Sequence, residues 1–357
     1  MQTPSHITAL LQMAGHPAFC VRDGVITAAN EAALSRLVAV GEKISGLMTT
    51  GKAEYAEFTQ GRLCLTLTVS GTEYDATARI VEGWHIFTLE PAYSDPQLQV
   101  LALAAQQLRN PLSSVKAMMD HLLPNLEDSD SPSTQAQLAY LYRSLNQMQR
   151  IVYNMSDASR YASTPARMSV RDVNAVLGEL FESSGALCEQ AGITLTYTGL
   201  NAAVYSLIDF ERLERCVYNI LSNSLKHTGA GGAVHAQLKR QWNLLFLTVQ
   251  DSGTGIDLDS TGDLYNRYLR EPGLQDVSNG LGLGMPLIRA CARAHGGAVL
   301  LSSAKGKGLR LTISLRIRTD TVMASPSVPF DYAGDQDHGL IELADALPPE
   351  LYRPHKT

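Results

Sequence analysis

Two long heptad runs, separated by one polar break, restrict this chain more than any other feature of its sequence. Leu98, Leu101, Ala105, Leu108, Leu112, Val115, Met119 and Leu122 are spaced alternately by three and four residues. That spacing is the apolar seam of a helix packed in a bundle. Pro124 and the polar stretch Glu127–Ser133 interrupt it, and a second seam follows at Leu138, Leu141, Leu145, Met148, Val152, Met155 and Ser159. Two such helices joined by a polar loop make an αα-hairpin over residues 94–163. One hairpin cannot bury both flanks of these seams, so a homodimer through residues 94–163, closing a four-helix bundle, is the economical expectation.

The chain ahead of the hairpin, residues 1–91, has a different grammar. Ala18–Val21 and Val25–Thr27 read as strands around an Arg22–Asp23–Gly24 turn. Asn30 to Val40 reads as a helix, and three β-like runs follow at Leu63–Val69, Tyr74–Val81 and Trp84–Leu89, each set off by a glycine-containing turn. This order, with "GVITAANEAA" after the first hairpin, resembles a small PAS sensor domain. A generic α+β dimerisation module is the alternative reading. Nothing in the segment points to haem or flavin.

Charge and composition exclude some partners. A net charge of -6 argues against a dedicated nucleic-acid binder, which would carry a basic surplus. No apolar run approaches the roughly 20 residues a membrane span needs, and Met1 to Leu11 lacks a basic-then-apolar leader pattern. The expected location is therefore cytoplasmic, with no membrane span. The five cysteines are odd in number, scattered and without a CxxC pair, which suits reduced thiols and not a disulfide frame or zinc site.

Residues 167–318 read as a mixed α/β unit, with helices near 172–191, 209–228 and 284–295. Strands fit near Thr194–Thr198, Ala233–Lys239, Leu244–Val249, Ala298–Ser303 and Leu309–Leu315. Three motifs stand out within it. In "DFERLERCVYNILSNSLKHT", Leu213, Cys216, Val217, Ile220 and Ser224 form a mainly apolar stripe, while Asn219, Asn223 and Lys226 line another face at i, i+4 and i+7. Side-chain amides offer neutral oxygens to a hard cation such as Mg²⁺, and a lysine offers a mobile positive charge to phosphate. Two asparagines on a helix are, by themselves, more often plain exposed positions. In "LLFLTVQDSGTGI" an apolar strand ends at Asp251, where Gly253 and Gly255 permit a tight turn. In "NGLGLGMPLIRACARAHGG", Gly280, Gly282 and Gly284 lead into a helix whose free N–H groups can face phosphate.

In this order and spacing, the three motifs resemble the histidine kinase branch of the GHKL ATPase/kinase superfamily across essentially all of 167–318. The resemblance implies ATP and Mg²⁺ as ligands. It gives Asn223 the Mg²⁺ role, puts Asn219 and Lys226 near the phosphates, and has Asp251 accept a hydrogen bond from the adenine amino group. The stretch from Asp257 to Asn279 would be the ATP lid, with Arg267 and Arg270 as phosphate contacts or ordinary solvated charges. His295 reads as structural. The whole chain is then expected to be multi-domain α+β: a PAS-like N-terminal α/β sensor, a two-helix dimerisation hairpin, and a C-terminal GHKL α/β sandwich. An acidic tail, 319–357, reads as mostly disordered, with an apolar patch at Leu340–Leu347 suited to docking as a short helix.

The first hairpin helix carries "AAQQLRNPLSSV", where histidine kinases of this type have His-Glu-(Leu/Ile)-Arg-(Thr/Asn)-Pro-Leu. Leu108, Arg109, Asn110, Pro111 and Leu112 match, but Gln106 stands at the acceptor position and Gln107 at the acidic one. A neutral imidazole can attack phosphorus and hold a phosphoryl group, whereas an amide nitrogen has its lone pair delocalised. Gln107 cannot serve as a general base. His121 lies fifteen residues further along the helix, about 22 Å along the axis, too far to substitute. Pro111 within a helix is costly and marks an inherited kinked site.

The expected function is thus an ATP-binding, histidine kinase-like signalling protein of a two-component system that regulates a partner as a pseudokinase. Two alternatives keep chemistry. One is phosphatase action on a response regulator, for which Asn110, one turn after Gln106, would position water. The other is phosphorylation in trans of a partner histidine kinase. A GHKL ATPase of the chaperone type would want a glutamate where Asn219 stands, and a nucleotide-free interaction protein would leave Asp251, Asn223 and the glycines unexplained.

Overall fold

The computed structural model describes residues 3–91, 96–127, 132–255, 283–303, 306–319 and 338–352. The N-terminal unit comprises α1 (Ser5–Met13), β1 (Ala18–Arg22), β2 (Val25–Ala29), α2 (Glu31–Leu34), α3 (Ile44–Leu47), α4 (Lys52–Ala56), β3 (Arg62–Val69), β4 (Thr72–Val81) and β5 (Trp84–Pro91). The five strands are antiparallel in the order β2-β1-β5-β4-β3. Three two-residue turns set the register: Asp23–Gly24, Ser70–Gly71 and Glu82–Gly83, each with positive φ at both residues. That turn matches the right-handed twist of the flanking strands, and its second position favours glycine. On one face α1 lays Ile7 and Leu11 over Cys20, Trp84 and Ile86. On the other, Phe19 and Phe87 stack at 5.1 Å within the main apolar cluster of the unit.

The helix expected over Asn30–Val40 is much shorter, Glu31–Leu34. Asn30 caps it through Oδ1 to the Ala33 N–H, while its amide group donates to the carbonyls of Leu11 and His16. Leu37 then enters the left-handed region at φ 66, and the Val38 N–H returns to the Ala33 carbonyl. A cap on one side and a left-handed residue on the other leave room for barely one turn.

Helices α5 (Pro96–Glu127) and α6 (Pro132–Ser163) form the hairpin, and α5 runs on through Pro111. The two seams are only partly used inside one chain. Ala105, Leu138, Leu145, Val152 and Met155 are buried, whereas Leu108, Val115, Leu141 and Met148 remain exposed. The side chains of Leu98, Leu101 and Leu122 lie outside the described residues.

The C-terminal unit contains β6 (Ser169–Asp172), α7 (Val173–Gln190), β7 (Thr194–Thr198), β8 (Tyr205–Ile208), α8 (Phe210–Thr228), β9 (Ala233–Gln241) and β10 (Leu244–Asp251). It continues with α9 (Gly284–Ala294), β11 (Val299–Ser303), β12 (Leu309–Arg316) and α10 (His338–Glu342). Strands β11-β12-β10-β9 are antiparallel and β7 joins β9 in parallel, while β6 and β8 pair separately. The apolar stripe of α8 (Leu213, Cys216, Val217 and Ile220) is buried with α7, α9 and the inner residues of these strands. The four-residue strands β6 and β8 escaped sequence reading, being too short to show a period.

The two α/β units share one sheet. β11 pairs antiparallel with β3, Val299 opposite Cys64, giving ten strands in sequence across both. Gly61 makes this approach possible, since a Cβ there would sit 2.1 Å from the Leu301 carbonyl oxygen. Buried Arg289 donates to the Ala76 carbonyl and the Thr77 hydroxyl, and Arg293 pairs with Asp75 at 2.8 Å.

The tail departs from the disordered expectation over 338–352. α10 and a short 3-10 turn, Pro349–Tyr352, bury Ile341, Leu343, Ala344, Leu347 and Tyr352. This includes the Leu340–Leu347 patch. Residues 320–337 and 353–357 lie outside the described residues. Among the described residues, no helix is long and apolar enough to cross a membrane.

Candidate functional site

The site is built on α8. Asp209 caps the helix, Oδ1 accepting the Arg212 N–H at 3.1 Å, and pairs with the Arg212 guanidinium at 3.2 Å. His295 secures this end from α9: its Nδ1–H donates to the Cys291 carbonyl at 2.8 Å and its Nε2 accepts the Asp209 N–H at 3.0 Å. Fully engaged and buried, His295 is structural, as its place before Gly296–Gly297 suggested.

Asn219, Asn223 and Lys226 share one face of α8, and the first turn of α9 abuts it. A Cβ at Gly284 would lie 3.3 Å from Asn219 Oδ1 and 3.5 Å from Asn223 Nδ2. Any side chain at Gly284 would therefore crowd the two amides, and glycine leaves the backbone open beside them. At the far end of α8, buried Asp251 accepts the N–H groups of Gly253 and Leu309 through Oδ1, both at 3.0 Å. Gly253 is packed so closely that a Cβ would stand 2.3 Å from the His227 carbonyl oxygen. Gly255 follows with φ 66. The structure thus brings Gly284 beside Asn219 and Asn223, and packs Gly253 and Asp251 at the C-terminal end of the same helix, next to His227. Gly280, Gly282 and the 257–279 stretch with Arg267 and Arg270 lie outside the described residues.

The polar groups of this face are heavily engaged. The Asn219 amide donates to the Arg215 carbonyl at 2.8 Å and its Oδ1 accepts from Arg150 of α6 at 3.4 Å. Lys226 Nζ donates to Asp345 of the tail at 3.1 Å. Burial pulls the Lys226 pKa below its usual value, the nearby Arg150 adds to this, and Asp345 opposes both. One turn before Asn219, Arg215 Nε donates to Asp157 of α6 at 2.8 Å, while its other nitrogens reach Asn154 and the fully buried Glu342 of α10. Arg160 of α6 joins Asp157 and Glu211.

Sequence reading missed Arg150, Arg215, Glu342 and Asp345. One signal was available: Glu342 and Asp345 sit three apart inside the apolar run Leu340–Leu347. Carboxylates in a run that buries itself need cationic partners.

The acceptor region of α5 lies against this unit. Buried Ala105 packs with Leu283 and Leu287 at the start of α9 and with Val152 and Met155 of α6. The next residues along α5, Gln106 and Gln107, are exposed, as is Asn110. Arg109 reaches the Ser156 hydroxyl of α6 at 3.4 Å. The helix through His121 is described, but not that side chain.

Comparison with known proteins agrees with this layout. Residues 208–319 match the "Histidine kinase-, DNA gyrase B-, and HSP90-like ATPase" family, and residues 97–164 match the "His Kinase A (phospho-acceptor) domain" family. Among curated relatives, the sensor histidine kinase RppB of Synechocystis sp. is 29% identical over 64% of this chain and 51% of its own. The signal transduction histidine-protein kinase AfsQ2 of Streptomyces coelicolor is 25% identical over 78% and 52%, and the sensor histidine kinase MtrB of Mycobacterium tuberculosis is 26% identical over 62% and 40%. The chain spans at most about half the length of these relatives. The α8 face, the glycine-bounded turns and the hairpin beside them, taken with both family matches, place this chain in the sensor histidine kinase family, with a GHKL-type ATP-binding domain.

Proposed function

We propose that this chain is a nucleotide-responsive signalling protein of the two-component type that does not phosphorylate its own hairpin. The observation that carries the reading is an asymmetry. Asn219 and Asn223 sit beside the Gly284 backbone and Asp251 is held by the Gly253 turn, while the exposed acceptor positions hold two amides, Gln106 and Gln107. The cradle fits a nucleotide: the gap at Gly284 leaves backbone N–H groups of the α9 start beside two amide side chains. ATP would supply a phosphoryl group and a polyanion. Asn223 would hold Mg²⁺, Asn219 and Lys226 would face the phosphates, and Asp251, already oriented by two backbone N–H groups, would present its carboxylate to the adenine amino group. Gln106 offers no nucleophilic nitrogen and Gln107 no base.

The rest of the chain supports a regulatory role. The strand order β2-β1-β5-β4-β3, with α2 to α4 packed on one face of the sheet and α1 on the other, supports a PAS-like sensor. Exposed Leu108, Val115, Leu141 and Met148 on the hairpin seams support a homodimeric bundle of residues 94–163. We take the protein to work in the cytoplasm, on a response regulator or a partner kinase. A second reading, phosphatase action on a response regulator, is favoured by one observation: Asn110 is exposed one turn beyond Gln106.

Titration with Mg²⁺ and ATP should raise the unfolding temperature, because a ligand at 100 times its Kd stabilises by about 2.7 kcal/mol. Incubation with labelled ATP should leave the chain without acid-labile label. No thermal shift with any adenine nucleotide would defeat the nucleotide reading, and acid-labile label would reveal another acceptor. Decay of a phosphorylated response regulator, with Asn110→Ala as control, tests the phosphatase reading.

A further inference from the structure

The segment 338–352 docks across the junction of the hairpin and the ATP-binding unit. It buries Ile341, Leu343 and Leu347. Its backbone is ordered by the Leu343 N–H to the Gly339 carbonyl and the Leu347 N–H to the Leu343 carbonyl. From α6, Arg143 and Gln147 both donate to the Ala344 carbonyl, at 3.1 and 3.2 Å. From α8, Arg215 pairs with the buried Glu342. Between these, Asp345 Oδ2 lies 2.5 Å from Arg150 Nη1 and 3.1 Å from Lys226 Nζ. One carboxylate therefore bridges a hairpin arginine and the lysine of the nucleotide face.

A carboxylate and a phosphate make the same kind of charge-assisted hydrogen bond to an ammonium group. Lysine has three donors, so Asp345 leaves Lys226 able to bond elsewhere. Charge is what opposes joint occupancy. A phosphate drawn to Lys226 would bring its negative charge beside Asp345 in a partly buried place, where like charges repel far more than in water. Arg150 offsets one of the two anions, and its Nη2 is already on Asn219.

We propose that segment 338–352 is an internal competitor of nucleotide: Asp345 holds Lys226 and Arg150 closed, so that phosphate binding and docking of the segment oppose each other. The proposal rests on the reading of the α8 face as the nucleotide site. Coupling of this kind is reciprocal. Nucleotide loosens the segment, and the docked segment weakens nucleotide. Release uncovers Arg143, Gln147 and Arg150 on α6, so occupancy of the ATP-binding unit alters the surface of the hairpin. A chain with no acceptor histidine could thereby still report ATP to a partner.

The test uses the full chain, Asp345→Asn and Leu347→Asp. The first removes the charge and keeps the shape. The second expels the segment from its apolar seat while leaving the side chains of Lys226, Arg150 and Asp345 as they are. Affinity for a non-hydrolysable ATP analogue with Mg²⁺ is measured by calorimetry, and amide exchange is followed over 338–352 with and without the analogue. Both variants should bind about tenfold tighter, within the usual span of coupling between sites. In the unmodified chain, the analogue should speed exchange at the Leu343, Ala344 and Leu347 amides. Equal affinity in all three chains, weaker binding by either variant, or exchange unmoved at saturating analogue overturns the competitor and leaves the nucleotide site standing. Binding by none of the three overturns the nucleotide reading, and the competitor with it.

Discussion

The stretch of α5 around Gln106 and the polar face of α8 differ in how tightly the rest of the fold holds them. Gln106, Gln107 and Asn110 stand exposed on their helix. Asn219, Arg215 and Lys226 are buried or half-buried, and each is bound to an element other than α8 or to its own preceding turn. An exposed helix position can change residue type at little cost, because water satisfies whatever is placed there. A buried polar group cannot, because its partners are left unpaired when it goes. Residues 106, 107 and 110 can thus change type without disturbing the fold, whereas the α8 face is tied into the packing of three elements.

Arg215→Ala should break this contrast hardest. It strips the counter-charge from Asp157 and from the fully buried Glu342, and removing one partner of a buried pair costs about 3–5 kcal/mol. Urea unfolding at fixed pH checks this, and a loss under about 1 kcal/mol would mean that the network is a bystander. Next comes Gly253→Ala, which drives a Cβ to 2.3 Å from the His227 carbonyl. Overpacking of this kind costs about 1–3 kcal/mol, and nucleotide affinity should fall with it because Asp251 is oriented by the same turn.

Glu214 offers a pH-dependent test. Burial raises its pKa to about 7, with Arg215 opposing and Glu211 reinforcing the shift. His338 of α10 faces it at 3.7 Å. A carboxyl whose folded pKa is raised keeps its proton in the native state while the unfolded chain gives it up, so stability falls as pH rises from the ordinary glutamate range toward 7. Glu214→Gln should flatten that decline and stabilise the protein at pH 8 by on the order of 2 kcal/mol. Unchanged slopes of stability against pH between the two chains would rule this out.

The smallest stability effect belongs to the acceptor stretch. The double variant Gln106→His, Gln107→Glu should shift stability by no more than about 0.5 kcal/mol. It should nevertheless gain acid-labile label from ATP. Labelling would show that only the nucleophile and its base are missing, while its absence would place a further defect in the ATP-binding unit.

Much of this was legible in the residues. The hairpin and helices α7, α8 and α9 appeared within a residue or two of their expected limits, because a repeat of three to four apolar residues is a local signal that packing then reinforces. The face carrying Asn219, Asn223 and Lys226 followed from the same period. The shortened α2 did not, since its end depends on Leu37 turning left-handed, and leucine gives no warning of that. Asp345 was read as one acidic residue among many in the tail, and nothing nearby in sequence names a partner 119 or 195 positions away.

The sequence by itself determined the order of the units, the faces of their helices, the spacing of the asparagine and glycine motifs, and the presence of two amides at Gln106 and Gln107. Each of these depends on residue type and short-range spacing. Tertiary structure alone decided that β3 and β11 join two units into one sheet, that Arg215 and Arg150 link α8 to α6, and that the acidic tail returns to Lys226. The reason is physical. A strand edge, a buried charge or a docked tail acquires its energy only when a distant segment completes it, and the price in loop entropy grows too slowly with separation to leave a mark on local sequence.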